Sequence, residues 1–243
     1  MTDGSHDRRL TILGRLLDQE TGFTTGRLCQ VCADVTAATG AGIMLMAGDI
    51  PHGSMCSTDT VSALIEQLQY DLGEGPCVDA YHQDRPVLEP NLAEPEVPRW
   101  LAFTGPAVDA GARAVFGFPL QVGAVRIGAL NIYNDRPGGL SDDQYIDALV
   151  VADVAAQAVL LLQADAPPDT VAVELEANAD FQYVVHQASG MVAVQLDVPL
   201  SQALIRLRAH AFGNNRSLTD VARDVVDRRL RFDTDRGKQD SEP

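Results

Sequence analysis

Apolar positions recur first at helical spacing. Residues 9–17 and 27–39 predict two helices, and Leu28, Val31, Cys32 and Val35 line one face of the second at i, i+3, i+4 and i+7. Gly40 stops that helix, and the run GIMLMA at 42–47 predicts a buried strand, followed by a turn at 49–53 and a short strand near Met55. Residues 60–70 predict a helix with Val61, Leu64, Ile65 and Leu68 inward. Next comes the loop Gly73-Glu74-Gly75-Pro76-Cys77, whose proline suits the first turn of a helix reaching about His82. A short strand is expected at 86–89, an irregular proline-rich stretch at 91–98 and a helix at 99–110.

The alternation then changes period. Ala114, Phe116, Phe118 and Leu120 alternate with Val115, Gly117 and Pro119, and a second strand follows at 125–134. Gly123 in the tight connection predicts an antiparallel hairpin. After the turn at 135–139, Ser141 caps a helix to about Ala164, with Ile146, Leu149, Val150, Ala156 and Leu160 as buried candidates. This order predicts an α+β domain on an antiparallel sheet, not a parallel βαβ fold.

Paired prolines at 167 and 168 mark a boundary. Beyond it three helices are expected. The first spans 171–195. The second is capped by Asp197, with Pro199 in its first turn, the stripe Leu200, Ala203, Leu204, Leu207 and Ala211, and Gly213 as a left-handed end. The third starts at Ser217, with Leu218, Val221, Ala222, Val225 and Val226 inward. The organisation is a disordered start (1–9), a sheet domain (10–163), a linker (164–170), an all-α domain (171–232) and a disordered tail (233–243).

Charge sharpens that division. Residues 1–180 hold 9 Arg against 26 Asp+Glu, whereas 181–232 hold 7 Arg against 4 Asp. A basic island in an acidic chain suits a polyanion. An apolar fraction of 46% supports packed cores. No run of eighteen apolar residues suggests a membrane span, and the start lacks the pattern of a secretory leader, so a cytoplasmic location is expected. The four cysteines (29, 32, 56 and 77) are then expected reduced and packed. Cys29-x-x-Cys32 has no second ligand pair, the five histidines are scattered, and no Ser-His-Asp order or phosphate loop is present. Neither an enzyme nor a metal or other cofactor is expected.

The loop GEGPC at 73–77, the hairpin RAVFGFPLQVGAVRIGALNIYND at 113–135 and LSDDQ at 140–144 resemble a GAF domain over residues 10–163. The resemblance implies a sensor module on an antiparallel sheet, with Cys77, Phe116, Phe118 and Tyr133 as candidates to line a pocket for an unknown small molecule. It also leaves a remote alternative, a thiol enzyme such as a methionine sulfoxide reductase, in which Cys77 at a helix start has a lowered pKa.

The island resembles an ANTAR domain. The residues are Ala188-x-Gly190-Met191, Ala203, Leu207-Arg208, Ala211 and Leu218-x-x-Val221-Ala222, all taken as helix-packing positions except Arg208. Actinobacterial regulators join the two modules in this order. The resemblance implies a homodimer, paired through 171–183, that binds hairpins in nascent messenger RNA and prevents a terminator from forming. One departure is Ser189, where the family often has a basic residue. Candidate RNA contacts are His186, Gln187, Arg206, Arg208, Asn214, Asn215 and Arg216, with phosphate contacts favoured at Arg208 and Arg216. Arg223, Arg228 and Arg229 are expected to pair with Asp220, Asp224 and Asp227. The alternative is a helix-turn-helix DNA binder using 200–230, which those three aspartates disfavour by repelling phosphates.

Overall fold

The computed structural model describes residues 3–16, 24–47, 50–165 and 179–233. The chain divides into two compact units, Met1–Leu175 and Glu176–Pro243.

In the first unit, α1 (Asp3–Leu16), α2 (Thr25–Thr36) and α6 (Asp142–Asp165) cover one face of an antiparallel sheet. The strands are β1 (Gly40–Ala47), β2 (Ile50–Ser57), β3 (Val87–Glu89), β4 (Ala114–Val122) and β5 (Val125–Asn134), in the order β2-β1-β5-β4-β3. The other face carries α3 (Thr60–Leu72), α4 (Pro76–Gln83) and α5 (Thr104–Asp109). The period-2 pattern of β4 splits its side chains between two cores. Ala114, Phe116, Phe118 and Leu120 pack with Ile12, Leu28, Ile43 and Val151, whereas Val115 packs with Ile65, Val87, Phe103 and Tyr133.

Helix ends follow their local chemistry. Ser141 Oγ accepts from the Gln144 N–H (3.2 Å) while Gln144 Oε1 accepts from the Ser141 N–H (2.9 Å), a capping box that starts α6. Asp59 and Ser62 do the same for α3. The helix expected at 99–110 begins only at Thr104, because Glu74 Oε1 accepts the N–H groups of Ala102 and Phe103 at 2.7 and 2.9 Å. At the other extreme, residues 3–9 were expected to be disordered but form the first turns of α1. Arg8 reaches Asp143 and Asp147 on α6, and Arg9 reaches Asp153.

Buried positions and cysteine chemistry in this unit differ from the sequence expectations. Leu64 points out of α3, and Ile146 and Leu149 point out of α6, where Ala148, Val151, Ala155 and Val159 are buried instead. Cys29 and Cys56 are disulfide-bonded rather than reduced, because α2 packs over β2 and sets their Cα atoms 6.0 Å apart; Cys32 and Cys77 are free and buried. Asp142–Leu162 has mean hydropathy 1.9 and is long and apolar enough to cross a membrane, although 39% of it is buried against its own domain. A search for unbroken apolar runs misses it, because Asp147, Asp153 and Gln157 interrupt the series.

The second unit comprises α7 (Ala179–Leu196), α8 (Leu200–Gly213) and α9 (Leu218–Val226), with α7 and α8 meeting at 104°. Its core is Val185, Ala188, Val192, Ala203, Leu204, Leu207, Ala211, Leu218, Val221, Ala222 and Val225. Leu200, expected in the stripe, is 43% exposed. Asp197 does not cap α8 but takes a left-handed conformation (φ 53°), and Pro199 precedes the helix. Asn215 (φ 50°), not Gly213, turns the chain after α8, and the Arg216 N–H closes on the Ala211 carbonyl at 2.9 Å. Ser217 Oγ accepts from the Asp220 N–H at 3.0 Å and starts α9. Most of the expected linker, the leading segment from 171 to 178 and the tail from 234 lie outside the described residues.

Candidate functional site

A polar cluster is buried between the sheet and α3. Ser62, Glu66 and Gln69 fall at i, i+4 and i+7, so they share the inward stripe of α3 with Ile65, and each is at most 1% exposed. Opposite them stands Asn131 of β5, fully buried, in register with Gly42 of β1 on one side and Gly117 of β4 on the other. Both glycines are required by contact. A Cβ on Gly42 would lie 2.8 Å from Glu66 Cγ, and one on Gly117 would lie 2.3 Å from the Pro76 carbonyl oxygen. Glu66 and the start of α4 therefore press onto the sheet on either side of Asn131. Gln69 joins them, its Oε1 accepting from the Cys77 N–H at 2.7 Å.

The cluster is incompletely satisfied. Both Glu66 carboxylate oxygens, Gln69 Nε2, Asn131 Nδ2 and Asn131 Oδ1 make no hydrogen bond of good geometry. The Asn131 side chain nevertheless lies close enough to Glu66 to favour its charged form in part. Burial outweighs that help and pushes the Glu66 carboxyl from 4.5 up to about 8. Neighbouring acids fare differently. Asp59 accepts from the Ser62 N–H and the Tyr133 hydroxyl (2.9 Å), Asp79 from Trp100 Nε1 (3.0 Å), and Glu89 pairs with Arg99 (3.1 Å). Among the described residues no group of three or more His, Cys, Asp or Glu side chains could hold a metal ion.

The expected pocket residues are split. Cys77 and Tyr133 lie on the face of the cluster, but Phe116 and Phe118 alternate with Gly117 and so belong to the opposite core beneath α6. Burial first, then the charge of Glu66, holds the Cys77 thiol well above its ordinary pKa, with Gln69 opposing. The lowered value expected from its helix-start position is therefore reversed. Glu66, Gln69 and Asn131 were not singled out from the sequence. Their signal is a polar residue inside the apolar run ALNIY and two polar residues three apart on one apolar helix face.

The second unit is described by itself. Ala188, Ala203, Leu207, Ala211, Leu218, Val221 and Ala222 are buried, while Met191 is half-buried. Gly190 was expected to permit a close helix approach, but a Cβ there would meet nothing within 4 Å among the described residues. Ser189, 2% exposed, bonds back to the Val185 carbonyl at 2.7 Å. A basic side chain at that position would have to displace core atoms, so its absence follows from packing.

The arginines separate into two groups. Arg229 pairs with Asp224 and Asp227, Arg223 with Asp220 and Arg231 with Asp233. Arg216, a favoured phosphate contact, also reaches Asp224 at 2.7 Å. Together Arg229 and then Arg216 hold the Asp224 carboxyl below its ordinary pKa. Arg206 and Arg228 are exposed and make no ion pair among the described residues, contrary to the expectation for Arg228. Arg208 and His186 are half-buried, whereas Gln187, Asn214 and Asn215 are exposed. Asn214 Nδ2 donates to the His210 carbonyl at 2.8 Å, and the His210 ring packs edge-on against Phe232 at 5.4 Å.

No curated protein matches the chain. Solved structures similar to it include a GAF domain from an Acinetobacter phosphoenolpyruvate-protein phosphotransferase, at 15% identity and TM-score 0.49, over 68% of this chain and 98% of that one. A domain of a sensor histidine kinase from Sinorhizobium meliloti is 19% identical, at TM-score 0.45 over 57% and 89% of the two chains. A free methionine-R-sulfoxide reductase from Thermoplasma acidophilum is 15% identical, at TM-score 0.43 over 63% and 92%. The GAF-domain family matches residues 24–160, more than half of the sequence, and the chain belongs to that family.

Proposed function

We propose that the chain is a signal-responsive regulator of transcription antitermination and not an enzyme. The GAF domain senses, and the C-terminal three-helix unit, read as an ANTAR domain, binds RNA hairpins as a cytoplasmic homodimer. The observation that carries the reading is the division of labour in that unit. The small and apolar residues of its motif from Ala188 to Ala222 fill the core, apart from the half-buried Gly190 and Met191. Arg206 is left exposed on α8, with Asn214 and Asn215 exposed in the turn that follows. An exposed cation beside amide side chains suits the phosphates and base edges of unpaired loops. Against an enzyme stands the buried Cys77, whose thiol is disfavoured as a thiolate nucleophile.

Gel-shift titrations with tandem RNA hairpins and with duplex DNA of matched length test the reading. Arg206→Ala with Arg208→Ala should weaken hairpin binding about tenfold or more and lower the slope of log affinity against log salt by about one for each phosphate no longer neutralised. Equal affinity of the variant and the parent, or preference for duplex DNA, overturns it.

A further inference from the structure

The unpartnered atoms of the buried cluster have a definite polarity. Gln69 is oriented, because its Oε1 is already taken by the Cys77 N–H, and its two Nε2 hydrogens are the free end. Asn131 offers a donor and an acceptor, and Glu66 offers its carboxyl. A complementary group must therefore accept from Gln69 and Asn131 while donating toward Glu66 or Asn131 Oδ1.

Charge narrows the choice. An anion would lie beside Glu66 with no cation to offset it, since the arginines of this layer are committed. Arg99 pairs with Glu89, Arg113 donates to the Val108 carbonyl (2.6 Å), and Arg126 donates to the Tyr81 carbonyl and covers that ring. A cation would meet the amide hydrogens of Gln69 and Asn131 and would require Glu66 to ionise at full burial. Only an uncharged group suits both ends.

We propose that Glu66, Gln69 and Asn131 recognise a small uncharged ligand that presents a hydrogen-bond donor and an acceptor on one edge, a carboxamide being the simplest such group. The proposal rests on the sensory reading of the GAF domain and names the chemical class that the domain takes. Admission requires the start of α4 to lift from Gly117. Gly73 (φ 68°) and Gly75 (φ 133°) immediately precede it, in left-handed backbone that glycine adopts without strain.

Acetamide, acetate and acetamidinium form a test set of near-identical planar shape with charges of zero, minus one and plus one. Thermal melts of the full chain are recorded with each at matched ionic strength and without RNA, so failure of the RNA reading does not bear on the result. A four-heavy-atom probe has an affinity ceiling of about −6 kcal/mol, and one held by a few hydrogen bonds at about half that ceiling binds in the millimolar range or more weakly. Acetamide at ~50 mM should raise the melting temperature by roughly 3 °C and saturate, with acetate and acetamidinium inert. Asn131→Leu should abolish the shift, and Gln69→Met provides a second variant should the first fail to fold. Stabilisation by acetate or acetamidinium with acetamide inert overturns the ligand class. No saturable shift with any probe, or an acetamide shift that survives both substitutions, overturns the site.

Discussion

Glu66 should make this protein less stable as the pH rises through neutrality. Its carboxyl moves from 4.5 to about 8 on burial. The folded chain thus keeps a proton that the unfolded chain has already released. The stabilisation is full below pH 4.5 and is lost as the pH climbs to about 8. At about 1.4 kcal/mol per pH unit the whole displacement is worth roughly 5 kcal/mol, an upper value because a buried site relaxes when it charges. Between pH 5.5 and 7.5 that leaves about 2–3 kcal/mol. At ~2–4 °C per kcal/mol for a domain of this size, the melting temperature should fall by roughly 5–10 °C. Glu66→Gln keeps the shape and cannot ionise, so subtracting its profile from the parent's removes the contribution of every other group. Melts of both proteins at half-unit intervals are the assay. The parent should lose stability relative to Glu66→Gln with a slope approaching one proton. Parallel profiles, or a parent that gains on the variant as pH rises, would refute the reasoning, because either would mean that Glu66 is ionised and held by a donor.

The remaining expectations are structural. The Cys29–Cys56 bond closes a loop of sequence separation 27, for which chain entropy gives roughly 3–4 kcal/mol. Cys56→Ser should therefore lower the melting temperature by about 6–16 °C, and thiol titration of the unfolded, unreduced parent should find Cys32 and Cys77 alone; four reactive thiols would show that the bond is absent. Gly117→Ala should cost at least about 1–3 kcal/mol, because the added methyl meets the rigid Pro76 carbonyl, whereas Gly105→Ala on α5 meets open space and should be neutral or slightly stabilising. Chemical denaturation of the pair checks this, and equal stabilities would mean that α4 does not rest on Gly117. Arg8→Ala should lower the melting temperature by only about 1–4 °C, since its pairs with Asp143 and Asp147 are partly solvent-exposed; a larger loss would mean that α1 is held to α6 chiefly by those pairs.

The layers of the GAF domain were legible because their apolar periods are regular. The alternation from Ala114 to Leu120 and the i, i+3, i+4, i+7 face of α2 each pointed to a buried side, and the structure buries them. What stayed hidden depended on partners distant in sequence. The first turns of α1 read as polar chain, since the acids that hold Arg8 and Arg9 lie more than a hundred residues away on α6. Cys29 read as a packed thiol because nothing local says that α2 crosses β2 at Cys56. The stripe of α3 was misassigned in a telling way. Apolar spacing selected Leu64, which is 39% exposed, and passed over Glu66 and Gln69, which are buried.

That misassignment bears on function. A core that followed the local rules would place an apolar residue at Asn131 and a leucine at Glu66. Instead, three polar side chains are buried with atoms unpaired, and two glycines sit where helical residues press onto the sheet. Each orphaned group carries a desolvation cost of about 1–3 kcal/mol. Sequences depart from local consistency in this way chiefly where something other than folding is selected. The same stretch therefore explains why pattern reading failed on α3 and why the sensory site is placed there, rather than among Phe116 and Phe118, which the pattern singled out and the fold assigns to the opposite core.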